Sequence, residues 1–244
     1  MKMKGLKIIY EPRGRAREYS SLAANLYRGC SHGCKYCYAP SCLQMDRLTF
    51  YSMPQPRTDI IKQLKADCEK IAGCKDRILL CFTCDPYQPL DRELRLTRQA
   101  LELFNQFDIP FQVLTKGGMS AARDFDLYTK ADAFATTLTL RDGENSFLFE
   151  PGAAIPSDRM AAIQVAHERG IETWVSFEPI LDSEAVFRLL EATHKYVDLY
   201  KIGKVSHFKP PKPIDWYWFA REIVARLEAL GKRYYIKEDL RKHL

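Results

Sequence analysis

The stretch LAANLYRGCSHGCKYCYAP, residues 22–40, runs an apolar segment directly into three closely spaced cysteines. Leu22 to Gly29 reads as a strand, and Cys30, Cys34 and Cys37 follow it in the spacing C-x3-C-x2-C. Gly29 and Gly33 let the chain fold tightly here, because glycine reaches left-handed conformations that other residues avoid. Thiolates this close together can converge on one metal centre, and iron–sulfur clusters are held by cysteine thiolates. Three protein ligands on a four-iron cubane would leave one iron open to a small molecule. Spacing alone leaves alternatives open. Zinc could take Cys42 or His32 as a fourth ligand, Cys42 could close an electron-transfer cluster, or the loop could simply pack inert thiols.

Outward from this loop, helix and strand patterns alternate. Thr58 to Ala72 predicts a helix with Thr58 as its N-cap, Ile60, Ile61, Leu64, Cys68 and Ile71 at helical spacing, and Gly73 as its stop. RILLCFT, from Arg77 to Thr83, is the continuous apolar run of a strand covered on both faces. Helices are then expected at 94–107, from Ser120, at 157–169 and at 183–195, with strands at 111–116, 133–140, 171–178 and 197–203. Such alternation predicts an α/β fold with a parallel sheet. Six consecutive units suit a partial (β/α)6 barrel better than a flat sheet. Chemistry in parallel barrels gathers at the carboxyl ends of strands, where Cys30, Asp85, Lys116, Thr139 and Glu178 fall. KPPKPIDWYW from Lys209 breaks the rhythm; a helix from Trp216 to Leu230 follows, and RYYIK can add a last strand. Residues 1–208 therefore read as the barrel core and 209–244 as a C-terminal helical extension packed on it.

Composition bounds the function classes. The 244 residues, 46% hydrophobic and 28% charged, suit one globular core. No apolar run is long enough to span a bilayer, and the basic start MKMKGLKIIYEPRGRAREYS lacks an apolar signal core, so a cytoplasmic protein without a membrane partner is expected. Eight cysteines in such a chain point to metal or redox chemistry rather than a disulfide scaffold. The net charge of +6 leaves room for a nucleic-acid partner and equally for a mixed, solvated surface.

The cysteine pattern, with the aromatic Tyr36 just before its third cysteine, resembles the signature of the radical SAM superfamily. LAANLYRGCSHGCKYCYAP, CDPYQPLDRELRLTRQAL from Cys84 and LTKGGMSAARDFDL from Leu114 together resemble the spore photoproduct lyase-related family, often labelled DNA repair photolyases. The similarity continues through Glu150-Pro151 and Arg159 to SFEPI, covering residues 8–185, and does not extend beyond Lys209.

The resemblance implies a 4Fe-4S cluster on Cys30, Cys34 and Cys37, with S-adenosylmethionine chelated to the open iron. Reductive cleavage would give a 5′-deoxyadenosyl radical that takes a hydrogen atom from a substrate, a nucleic-acid base in the lyase-like reading. A small molecule, peptide or RNA substrate is the alternative. The electron would come from a flavodoxin- or ferredoxin-type donor. On the same basis Lys116 meets the cofactor's carboxylate, Thr137 or Thr139 its ribose, Tyr36 its adenine, and Asp85 its methionine end. Glu178 completes this set, with an ordinary strand exit as its alternative. Glu150 and Arg159 are candidates for an internal ion pair. The position of the family's hydrogen-donating cysteine is taken by Phe82, and neither Cys81 nor Cys84 matches it; Cys84, at the strand end, could still face the cavity and donate a hydrogen atom. Cys81 and Cys84, three apart on an extended strand, are expected on opposite faces, with Cys81 as a small core residue. Trp216, Tyr217 and Trp218 could stack on bases or pack the last helix on the barrel.

Overall fold

The computed structural model describes residues 5–244; Met1–Lys4, the start of the basic N-terminal stretch, lie outside the described residues. Its strands are β1 (Leu22–Ala24), β2 (Tyr27–Arg28), β3 (Gln55–Pro56), β4 (Ile78–Leu80), β5 (Phe111–Thr115), β6 (Ala133–Thr137), β7 (Glu172–Phe177), β8 (Leu199–Ile202) and β9 (Arg233–Ile236). Its α-helices are α1 (Ala39–Cys42), α2 (Arg47–Ser52), α3 (Ile60–Lys70), α4 (Asp91–Leu94), α5 (Leu96–Gln106), α6 (Gly143–Phe149), α7 (Pro156–Glu168), α8 (Ser183–Thr193), α9 (Trp216–Ala229) and α10 (Glu238–Arg241). Seven strands form one sheet in the order β1-β4-β5-β6-β7-β8-β9, and every neighbouring pair is parallel. Parallel neighbours need long crossovers, and the intervening helices supply them. The architecture is the expected α/β partial barrel.

Period-two alternation sorts the strand residues onto two faces. Leu22, Ala24, Ile78, Leu80, Phe111, Val113, Phe134, Val175, Phe177, Tyr200 and Ile202 share the larger core with apolar side chains of the helices. The opposite positions, Ala23, Leu79, Ala133, Ala135 and Trp174, form a small second cluster with Tyr19. Small residues suit the concave side, where a curved sheet crowds its own side chains. Tyr19 follows a 3-10 turn at Gly14–Glu18 and plugs this interior, its ring 5.8 Å from that of Trp174. Lys201 donates to the Tyr19 carbonyl at 2.7 Å. Burial, helped by Lys237 nearby, lowers the Lys201 ammonium to about 8.

Four local expectations change. The run Leu22 to Gly29 is not one strand: β1 ends at Ala24, and β2 turns aside to pair antiparallel with β3. Between them Asn25 Oδ1 accepts from the N–H groups of Phe82 and Thr83, both at 2.8 Å, so a side chain replaces ladder bonds there. The helix expected from Thr58 begins at Ile60, because Asp59 takes a left-handed conformation, φ 48°. Ser120 lies inside a 3-10 helix, Gly118–Leu127, rather than capping an α-helix. β6 stops at Thr137, short of the expected 140.

Beyond residue 209, α9 buries Phe219, Ala220, Ile223 and Leu227, with Phe219 stacked 5.4 Å from Phe187. β9 then joins β8 in parallel, so this segment carries the sheet's seventh strand as well as a helix. Tyr217 and Trp218 remain largely exposed. No helix among the described residues is long and apolar enough to cross a membrane.

Candidate active site

A cavity of about 660 Å³ opens at the carboxyl ends of the strands. Ligand clefts typically hold about 300–1,000 Å³. Cys30, Cys34 and Cys37 line it together with Tyr36, Cys84, Asp85, Lys116, Thr137 and Glu178. These residues come from loops far apart in sequence, and the parallel sheet brings them together.

The cysteine loop is held from outside, which leaves its thiols facing in. Gly29 (φ 94°) and Gly33 (φ 65°) occupy the left-handed region. A Cβ on Gly29 would stand 2.8 Å from the Phe50 carbonyl oxygen, the group to which Cys30 N donates at 3.0 Å. Arg47, at the start of α2, donates to the carbonyls of Cys37 (3.1 Å) and Lys35 (2.8 Å), and Tyr51 Oη donates to that of Cys34 (2.8 Å). On the other side Gly152 N donates to the His32 carbonyl at 2.9 Å, and Gln88 brackets the loop through Ser31 N and the Gly29 carbonyl. None of these anchors shows in hydrophobic periodicity, because each is a polar group acting on distant backbone.

The donor set fits a thiolate-held cluster. Burial pushes all three thiols up, Cys34 to about 12, so a cationic metal centre is what would hold them as thiolates at neutral pH. Among the described residues, no three Cys, His, Asp or Glu side chains stand at the separations of ligands to one metal ion. The fit rests on the donor chemistry and the shared cavity. Cys42, the alternative fourth ligand, is exposed at the end of α1 and reaches the cavity's rim. His32 is buried with Nδ1 3.4 Å from Asp85 Oδ2; burial outweighs that carboxylate and lowers its pKa, favouring the neutral imidazole.

Asp85 organises the opposite wall. Its carboxylate accepts from Thr115 Oγ1 (2.6 Å), Lys116 N (2.7 Å) and Tyr87 N (2.9 Å). The carboxylate expected beside the cofactor's methionine thus first locks the strand end that carries Lys116. Lys116 Nζ lies 5.6 Å from the centre of the Tyr36 ring and has no ion pair among the described residues. Thr137 is buried at the end of β6 and faces the cavity.

Thr139 is not part of this wall. With β6 ending at Thr137, alternation no longer directs both threonines to one side, and the Thr139 hydroxyl donates to Glu150 Oε1 at 3.1 Å, fully buried. Glu150 and Arg159 form the expected internal ion pair, 2.6 Å apart with both side chains fully buried. Burial alone would raise the Glu150 carboxyl, but the charges of Arg159 and Lys116 bring it down to about 2.

Glu178 lines the cavity, yet its carboxylate is engaged by Tyr19 Oη (2.5 Å), Lys237 Nζ (2.7 Å) and Arg15 Nη2 (3.3 Å). Cys81 and Cys84 do not sit on opposite faces. β4 ends at Leu80, the chain bends, and both line the cavity, with Cys81 buried and Cys84 half-buried. Burial raises the Cys81 thiol well above its ordinary value, and Cys84 adds to the effect.

The family model of the Radical SAM superfamily matches residues 24–185. An uncharacterized protein of Methanocaldococcus jannaschii is 27% identical over 180 residues, covering 72% of this chain and 67% of that protein. An uncharacterized protein of Mycobacterium tuberculosis is also 27% identical, over 166 residues, 64% of this chain and 48% of its own length; the match thus spans about half of the mycobacterial relative. Two solved structures of spore photoproduct lyase share the fold. A single-site mutant of that enzyme superposes with a TM-score of 0.73 at 15% identity, covering 96% of this chain and 79% of that one. A double mutant with bound AdoMet and dinucleoside spore photoproduct gives 0.69 at 18% identity, with the same coverage.

Proposed function

This chain belongs to the radical SAM superfamily, and is thereby an enzyme of the radical SAM class; we propose that Cys30, Cys34 and Cys37 hold its 4Fe-4S cluster and that its substrate is a nucleic-acid base. The observation that carries this reading is the convergence of those three cysteines, Tyr36, Lys116 and Thr137 on one cavity at the strand ends. The chemistry such a cluster supplies when bound is one-electron reductive cleavage of S-adenosylmethionine, yielding the radical that abstracts hydrogen from substrate.

The chain's own residues would bind, orient and shield. The ammonium of Lys116, without an ion pair among the described residues, suits the cofactor's carboxylate, and the Thr137 hydroxyl suits its ribose. The Tyr36 ring offers an apolar face for its adenine. Asp85 holds Lys116 by its backbone rather than neutralising its charge. Cys84, half-buried and lining the cavity, is the side chain suited to return a hydrogen atom to a substrate radical. The nucleic-acid reading draws on the cavity's outer lining, where Arg13, Lys35, Arg47 and Lys204 stand, and cations there would meet phosphates. Spore photoproduct lyase, crystallised with a dinucleoside photoproduct, shares this fold. The electron donor we propose is a flavodoxin- or ferredoxin-type carrier.

Anaerobic reconstitution tests the class. Brown protein with about four irons per chain should form 5′-deoxyadenosine from S-adenosylmethionine and dithionite. Colourless protein with a single zinc, or no product, would refute the cluster assignment. Deuterium passing from labelled oligonucleotides into 5′-deoxyadenosine would support the base substrate; transfer only from peptides or small molecules would refute it.

A further inference from the structure

Glu150 follows α6, fully buried, and four side chains meet on its carboxylate. Arg159 Nη2 donates to Oε2 at 2.6 Å, Ser146 Oγ to Oε2 at 3.3 Å and Thr139 Oγ1 to Oε1 at 3.1 Å. The fourth donor is the Tyr36 hydroxyl, on Oε1. Tyr36 differs from the others because its ring is part of the cavity wall, between two of the cluster cysteines. The ring is otherwise flanked by the edge of Phe208, 6.3 Å away, and by Lys116 Nζ. Arg159, meanwhile, reaches the facing wall, donating to the Thr137 carbonyl at 3.0 Å and to that of Ala154 at 2.7 Å.

One buried ion pair therefore ties the cysteine loop to the end of β6. An ionised acceptor makes roughly twice as strong a hydrogen bond as a neutral one, and Arg159 keeps this acceptor ionised. A purely structural ion pair would be complete with Arg159, Ser146 and Thr139. The bond to Tyr36 adds a fourth donor to that carboxylate and at the same time fixes an aromatic ring facing the cavity.

We propose that Glu150 is a positioning residue for S-adenosylmethionine, holding the Tyr36 ring at the angle and depth at which the cofactor's adenine packs on it. This inference rests on the cavity being the cofactor site. Glu150 touches neither cofactor nor cluster and acts through Tyr36.

The experiment compares wild type, Tyr36→Phe and Glu150→Gln, each reconstituted anaerobically as the full chain. Iron content, thermal unfolding, equilibrium binding of S-adenosylmethionine and the change it induces in the reduced cluster's electron paramagnetic resonance are measured. Tyr36→Phe keeps the ring and frees it; we expect unchanged iron, a smaller drop in melting temperature than in Glu150→Gln, about tenfold weaker binding and a smaller spectral change. Glu150→Gln keeps an acceptor for the Tyr36 hydroxyl and strips Arg159 of its counter-charge. It should melt lower yet bind within about threefold of wild type. Equal affinity of wild type and Tyr36→Phe overturns the proposal, as does a loss of affinity that simply follows melting temperature across both variants. Wild type that loads iron and fails to bind S-adenosylmethionine removes the cofactor assignment of the cavity and this inference with it.

Discussion

Replacing Arg159 with methionine removes one half of a fully buried ion pair, and the structure sets the size and pH dependence of the consequence. In the native chain Glu150 has its carboxyl held down to about 2, with burial opposing and Arg159 and Lys116 prevailing. A folded-state value below the unfolded one of about 4.3 contributes stability that is present above the unfolded value and lost as pH falls toward about 2. At about 1.36 kcal/mol per unit the contribution at neutral pH is about 3 kcal/mol. Without Arg159 burial dominates, so the carboxyl rises and Glu150 folds protonated. At about pH 7, taking that proton costs about 3–4 kcal/mol relative to the unfolded chain. With the lost bonds to the Thr137 and Ala154 carbonyls, the gap at neutral pH should reach at least about 3–5 kcal/mol, the range typical of breaking a buried pair from one side. The penalty shrinks as pH drops from 7 to 5, because protonation becomes easier, whereas wild-type Glu150 contributes no slope over that range. Urea unfolding of both proteins at pH 7, 6 and 5 measures the gap. A gap under about 1 kcal/mol at pH 7, or one that does not narrow toward pH 5, would refute the pairing. The double variant Glu150→Leu with Arg159→Met should recover part of the loss, since an apolar pair leaves no charge stranded.

Serine at Cys30, Cys34 or Cys37 should abolish iron loading, while serine at exposed Cys42 or at Cys68, buried on α3, should leave it intact; iron analysis after anaerobic reconstitution decides, and iron loss in the Cys42 variant would indicate a four-ligand centre. Gly152→Ala would press a Cβ to 2.3 Å from the Ser31 carbonyl oxygen, so the turn or the cysteine loop must move; expected is about 2 kcal/mol lower stability and weaker iron retention, and a melting temperature equal to wild type would show that the contact is not made. Lys116→Met should weaken S-adenosylmethionine binding roughly tenfold or more without changing iron content, measured by equilibrium dialysis; unchanged affinity would free Lys116 from the carboxylate assignment.

The amino-acid sequence by itself determined the sheet, the crossovers and the candidate cluster ligands. Runs such as ILL at 78–80 and AFATT at 133–137 announce buried parallel strands because both faces are covered, and the helices between them carry their own period. C-x3-C-x2-C is local, so three candidate ligands within eight residues can be recognised without knowing what surrounds them. Tertiary structure decided what depends on where a strand stops and what reaches it from far away. Whether Thr139 or only Thr137 faces the cavity turns on where β6 ends. Whether Cys81 shares a wall with Cys84 turns on the bend after Leu80. That Asp85 holds Lys116, that Asn25 replaces ladder bonds, and that Glu150, paired with Arg159, reaches Tyr36 across 114 residues of chain are matters of polar side chains meeting distant partners. Hydrogen bonds of that kind leave no periodic trace, because their geometry exists only once the apolar faces have packed.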